Sequence, residues 1–167
     1  KRVDVVNGTA TTLCPLPGAL NGGTWSAGGT IIFGSDRSLY RLRASGGEPV
    51  VLLRPDQTIS GLFYPAFLPD GRHIVFFGVA ANTQGTGLYL ADVDATPVTP
   101  MYLTKADSAA VYSQSGHLLF LRDGALLAQP FDAGSRRTTG DPKIVATGFA
   151  NPGETGQARF AIGANVL

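Results

Sequence analysis

Cysteine is nearly missing from this chain: Cys14 is the only one in 167 residues. No intrachain disulfide can form, and no cysteine cluster can hold zinc or iron. Cys14 lies in the apolar run Thr12-Leu13-Cys14-Pro15-Leu16, where it reads as a small buried hydrophobe. Histidine is as scarce, with His73 and His117 alone, which leaves little material for imidazole metal sites or triads. Charge of either sign is sparse, 13 Lys and Arg against 12 Asp and Glu. Such a balance makes no field to attract nucleic acid or an anionic membrane surface, so neither is an expected partner. No segment approaches the ~18 consecutive apolar residues of a spanning helix, so no membrane insertion is expected. The chain opens on Lys1 rather than Met, and a targeting sequence cannot be read from it. Also missing are G-x-S-x-G, H-E-x-x-H, the phosphate-cradling G-x-x-x-x-G-K-[ST] and the catalytic loop of protein kinases.

What is present is 44% hydrophobic residues, enough for a core, with 22 Gly and 11 Pro spread between short apolar runs. That pattern predicts an all-β chain with many tight turns and no long helix.

Lys1 to Val6 alternates and meets Asn7-Gly8, a two-residue type I′ hairpin signal, before Thr9 to Leu13 returns. The same turn chemistry accounts for the sequon Asn7-Gly8-Thr9 without a sugar. From Thr24 the chain then repeats one order of parts: an aromatic, a glycine turn, a β-branched or aromatic run, a loop, and two further strands. The aromatics four residues ahead of the turn glycine are Trp25, Phe67 and Tyr112, with Phe160 a looser fourth, at intervals of 42, 45 and 48 residues. Four short strands per repeat at a period in the forties predict the blades of a β-propeller. A β-sandwich would not repeat this order. The expected layout is outer strands of a blade over 1–18, whole blades over 20–59, 60–107 and 108–152, and the start of another over 154–167.

The units Trp25-Ser-Ala-Gly-Gly-Thr-Ile-Ile-Phe33, Phe67-Leu-Pro-Asp-Gly-Arg-His-Ile-Val-Phe-Phe77 and Tyr112-Ser-Gln-Ser-Gly-His-Leu-Leu-Phe120 resemble the W-S-P-D-G-x-x-I-x-F core of the WD40-like, TolB-type (PD40) propeller repeat. Ala27-Gly28 and Gln114-Ser115 stand where that pattern has Pro-Asp, and Ala164 stands where the fourth turn glycine belongs. The stretches Ser38 to Leu53 and Leu119 to Asp132 are similar to propeller regions that follow the kinase domain in bacterial serine/threonine protein kinases. The resemblance implies a non-catalytic propeller scaffold for a protein or peptide partner within a larger bacterial protein, without a cofactor and with a lean toward an extracytoplasmic place. The alternative it implies is the accessory or sensor propeller of an enzyme, a serine/threonine kinase or a prolyl-oligopeptidase-like peptidase, whose catalytic domain lies outside this segment.

The residues themselves offer few sites. Asp70 of the Pro69-Asp70-Gly71 turn suits backbone hydrogen bonding. His73 and His117 read as surface histidines at hairpins rather than ligands, and Asp92 with Asp94 reads as a solvated turn rather than a metal pair. Binding is expected on the loops Ser35–Ser38, Arg54–Leu62, Ala80–Gly87, Arg122–Asp123 and Gly148–Thr155, with Arg37, Arg54, Tyr64 and Arg122 the anchors best suited to a partner. The outer strands at the start and the inner strand at Gln157 to Leu167 are complementary halves of a blade. The segment is therefore expected to close through another copy, giving eight blades, or to belong to a larger propeller.

Overall fold

A computed structural model describes residues 1–81, 85–158 and 160–161. No helix occurs among them; the regular structure is strand throughout. A two-stranded hairpin, β1 (Arg2–Val3) with β2 (Ala10–Thr11), precedes three antiparallel sheets. The first sheet runs in order β3 (Leu20–Trp25), β4 (Thr30–Ser35), β5 (Ser38–Arg43), β6 (Val50–Leu53). The second holds β7 (Ile59–Phe67), β8 (His73–Ala80), β9 (Gly87–Asp92) and β10 (Met101–Lys105). The third holds β11 (Val111–Ser113), β12 (His117–Arg122) and β13 (Ala125–Asp132), whose far edge is shared by β14 (Arg137–Thr138) and β15 (Lys143–Thr147). Each sheet is a meander of consecutive strands, as propeller blades are.

Sheets stack through residues that alternate along their central strands. Ile32, Leu39 and Leu53 of the first sheet pack with Ile59, Leu62, Ile74, Phe76 and Tyr89 of the second. From its other face Val75, Leu88 and Leu90 meet Leu118, Phe120 and Leu127 of the third. β8 is thus buried on both faces, which is why His73-Ile-Val-Phe-Phe77 reads as a continuous apolar run rather than an alternating one. Thr24 Oγ1 accepts the Phe67 N–H at 3.1 Å, so the first strands of neighbouring sheets lie side by side. The last strands carry exposed Val50, Met101, Tyr102, Ile144 and Val145 and form the periphery.

Several expectations are corrected. Asn7-Gly8 does not close a two-residue turn; it lies in a loop spanning Asp4 to Thr9, because the Asp4 carboxylate accepts the N–H groups of Val6 and Asn7 and widens the connection. Trp25, the first of the repeat aromatics, is 48% exposed, on the face of the first sheet that looks away from the second. His73 is not a surface residue: it is 7% exposed, and its Nδ1 lies 2.6 Å from Asp70 Oδ2. The expected strand over Gln157 to Leu167 falls largely outside the described residues, and 157–158 and 160–161 are irregular.

The turn at Asp70 shows why its aspartate is there. Asp70 Oδ1 accepts the N–H groups of Arg72 and His73 at 2.9 Å each. Opposite, Arg72 donates to both oxygens of Asp92, at 2.9 and 2.5 Å, and this contact first of all holds the Asp92 carboxyl down at about 2. A carboxylate with a depressed native pKa contributes stability that is present above its unfolded value of about 3.9 and lost as pH falls through the native one. We expect the urea midpoint of the wild type to fall more steeply than that of Asp92→Asn as pH drops from about 4 to about 2. Equal slopes would show that the pair adds nothing. Phe120, fully buried between the second and third sheets, gives a check on the stacking: Phe120→Ala should cost about 3–5 kcal/mol by denaturant unfolding.

Candidate functional site

The two ends of the sheets differ in chemistry. One end carries the turns at Gly29, Gly71 and Gly116, and with them both histidines. His73 is tied to Asp70, and His117 Nδ1 lies 3.1 Å from Ser115 Oγ. Asp92 and Asp94 are at the same end, paired with Arg72 and Arg41. These side chains join the first two sheets, since Arg41 of β5 also donates to Val93 O at 3.1 Å.

The opposite end opens into a cavity of about 730 Å³ where the first strands begin, a size usual for small-molecule sites. Its polar lining includes Asn21 of β3, Asp36 and Arg37 of the β4–β5 turn, Asp107 just before β11, and Asn151 and Glu154 beyond β15. Phe63, Phe77 and Val79 supply an apolar wall. Three sheets therefore contribute to one site, each through a different connection.

Local backbone chemistry explains how the lining is held. Ser35 pairs with Ser38, so Asp36 and Arg37 are the two central residues of a tight hairpin, with φ of 46° and 61°. Two L-residues in the left-handed region are strained by roughly 1–2 kcal/mol each, and such strain gathers at functional turns. The turn is seated by Leu62 N–H donating to Arg37 O at 2.9 Å. Asp107 is fixed on two sides: its N–H donates to Leu121 O at 2.8 Å and its Oδ2 accepts the Asp123 N–H at 2.7 Å. Beneath it Ser108 is fully buried, its Oγ accepting from Leu121 N at 2.9 Å. The segment bearing Asn151 and Glu154 docks through Ala109 N–H to Gly156 O at 2.8 Å. Gly156 has φ +66°, and a Cβ there would strike the ring of Phe77. Only glycine allows this approach.

Of the four expected anchors, Arg37 lines the cavity. Arg54 is exposed after β6, away from it. Tyr64, φ 48°, packs against Gly22 with Phe63 and Phe77 at a bulge in β7. Arg122 ends β12 on the rim of the third sheet and is half-buried. Residues from four of the expected loops, Asp36, Ser60, Thr86 and Glu154, meet in the cavity, and the fifth adjoins it through Asp123. Asn21 and Asp107 were not anticipated. They sit beside strands without a motif, and only their place at the strand starts marks them. Among the described residues no group of three His, Cys, Asp or Glu converges closely enough to hold a metal ion.

Three sheets of this kind with a cavity at their first strands define a β-propeller-like protein. No family model matches the sequence, and no curated protein does. Among solved structures, one provisionally named a gluconolactonase aligns with a TM-score of 0.54 and 19% identity over 81% of this chain and 51% of its own. A luciferin-regenerating enzyme aligns with a TM-score of 0.54 and 13% identity over 80% of this chain and 49% of its own. The chain thus spans about half the length of the solved structures it matches. At these identities the likeness establishes fold. It also corrects the expectation of a non-catalytic scaffold, and of a segment that is not an enzyme: both neighbours carry enzyme names, so this architecture is one that houses catalysis. Neither neighbour is a kinase or a peptidase by name.

The strained turn gives a direct test. Arg37→Gly should raise stability over Arg37→Ala by about 1 kcal/mol, because glycine relieves the left-handed strain at some entropic cost. Matched urea unfolding curves measure the difference, and no gain would mean the turn is unstrained.

Proposed function

We propose that the chain belongs to a propeller enzyme that hydrolyses a small polar cyclic ester in the cavity at the sheet starts. The observation that carries this reading is the lining itself: Asp36, Asp107 and Glu154 stand around one cavity with a guanidinium, two carboxamides and an aromatic wall. The neighbours' enzyme names, one of them a lactonase, support it.

In this reading Asp107, anchored at its backbone and at one carboxylate oxygen, is the general base. It takes a proton from water as the water oxygen bonds to the ester carbonyl carbon. The carbonyl electron pair moves onto oxygen, where Arg37 compensates the charge. Collapse breaks the ring C–O bond, and the proton held by Asp107 passes to the departing alkoxide. Asn21 and Asn151 orient the ring oxygens, and Phe63 and Phe77 exclude water from its apolar edge. Both histidines lie at the far end of the sheets, so a carboxylate rather than an imidazole must serve as base. We further assign the repeats to the PD40 type, on the Phe67 to Phe77 motif and the hydrogen-bonded Asp70 turn.

Proton release from simple δ- and γ-lactones tests the activity. Asp107→Asn should lower kcat/KM by about 10²–10⁴-fold, a typical general-base loss, and Arg37→Ala by about 10²–10³-fold. Lactone turnover unaffected by either change, or no turnover of any lactone by the intact protein, would refute the reading.

A further inference from the structure

Two adjoining first strands carry the same bulge at the same place in the repeat. In β3, Leu20 pairs with Ser35 and Gly23 with Phe33, so Asn21 and Gly22 stand opposite Gly34 alone. In β7, Phe63 pairs with Phe77 and Ala66 with Val75, so Tyr64 and Pro65 stand opposite Phe76 alone. Gly22 and Tyr64 lie three residues before the repeat aromatics Trp25 and Phe67, and both have left-handed backbone, φ 77° and 48°. The residue just before each, Asn21 or Phe63, lines the cavity. In the third sheet the equivalent of Asn21 is Ser108, fully buried, whose Oγ accepts the Leu121 N–H instead.

Glycine adopts that backbone freely, and tyrosine does not. A bulky side chain at positive φ is an outlier, and Pro65 steers the residue before it toward extended backbone. Such a conformation persists only where its surroundings impose it, and it gathers at functional sites. The contacts show what Tyr64 does there. A Cβ at Gly22 would lie 2.6 Å from Tyr64 Cδ1, so the ring is seated on Gly22. Tyr64 also packs with Phe63 and Phe77. From the neighbouring strand, a Cβ at Gly34 would lie 2.6 Å from the Asn21 carbonyl oxygen. Asn21 is therefore held between the Tyr64 ring, acting through Gly22, and the backbone of β4. Its Nδ2 donates to Ala19 O at 3.3 Å, which leaves Oδ1 to accept from a ligand.

We propose that Tyr64 is a positioning residue for ligand recognition. Its strained bulge seats the ring on Gly22, and the matching bulge in β3 turns the Asn21 carboxamide into the cavity, where Oδ1 accepts from a ligand hydroxyl. Bulges beside a site re-aim side chains in this way. Tyr64 does not itself line the cavity and acts only through Asn21. A hydroxyl on the ring of a cyclic ester is a donor of the kind Oδ1 would read. In that respect the inference rests on the lactone reading, whereas the coupling of Tyr64 to Asn21 does not.

The coupling is tested on the protein without ligand. In NMR spectra the Asn21 side-chain NH2 signals should move in Tyr64→Gly, which suits the backbone angle and removes the ring, and stay near their wild-type places in Tyr64→Phe. Gly22→Ala, which drives a Cβ into the ring from the other side, should move the same signals and serves if Tyr64→Gly does not fold. Unmoved Asn21 side-chain signals in the folded variant overturn the proposal. Turnover of δ-valerolactone and of a ring-hydroxylated δ-lactone tests recognition. Tyr64→Gly should raise KM for the hydroxylated lactone about tenfold, the contribution of about one hydrogen bond, with little change in kcat or in KM for δ-valerolactone. In an Asn21→Ala background the same substitution should add nothing. Equal effects on both lactones, or a full effect in Asn21→Ala, would mean that Tyr64 acts on the fold at large and would overturn the positioning role. If the wild type turns over neither lactone, the lactone reading falls, and the Asn21 signals alone decide for or against the coupling.

Discussion

Sheet-on-sheet packing is the constraint on which the rest of this structure depends. The second strands β4, β8 and β12 carry this packing, β8 on both of its faces, with Ile32, Ile74, Phe76, Leu118 and Phe120 fully buried. Each such side chain contributes roughly 1.5–3 kcal/mol, so the sheets have little freedom to slide or splay. Polar ties add direction where apolar packing has none. Thr24 to Phe67 aligns the first strands, and Arg41 to Val93 and Asp94 clamps the end away from the cavity.

That rigidity lets short connections hold a site. A hairpin of two non-glycine residues at positive φ would be a poor platform in isolation, but Asp36 and Arg37 are set between a complete β4–β5 ladder and the Leu62 amide. Asp107 gains its fixed position in the same way, from the ladder of the third sheet. The apolar floor under both is the ring of Phe77, against which Gly156 brings the last segment. The polar residues of the site thus answer to sheets that are stable without them.

The blade pattern was legible in the sequence because the repeat is written into local chemistry: an aromatic, a turn glycine four residues on, and an apolar run. Where local rules failed, a competing contact explains it. Asn7-Gly8 yields its two-residue turn to the Asp4 carboxylate. His73 is drawn inward by Asp70 and by burial of the whole of β8. The loops of the site could be named, but the site could not. Catalytic motifs are read as residues close in sequence, whereas Asn21, Asp36, Asp107 and Glu154 come from three different sheets and their connections and meet only at one end of them. For the same reason the lack of any G-x-S-x-G or H-E-x-x-H pointed to a scaffold, an expectation at odds with the enzyme names that solved structures of this fold carry.

The central claim is that these connections from three sheets form one ligand site at the end of the molecule that lacks histidine. Amide chemical-shift mapping during titration with a hydroxy acid, the kind of product that opening a cyclic ester releases, tests it most directly. The account predicts shifts confined to Asn21, Asp36, Arg37, Gly61, Asp107 and Gly153, with the Asp70, His73 and Asp92 end silent. Shifts centred on that opposite end, or none at any concentration, would contradict it.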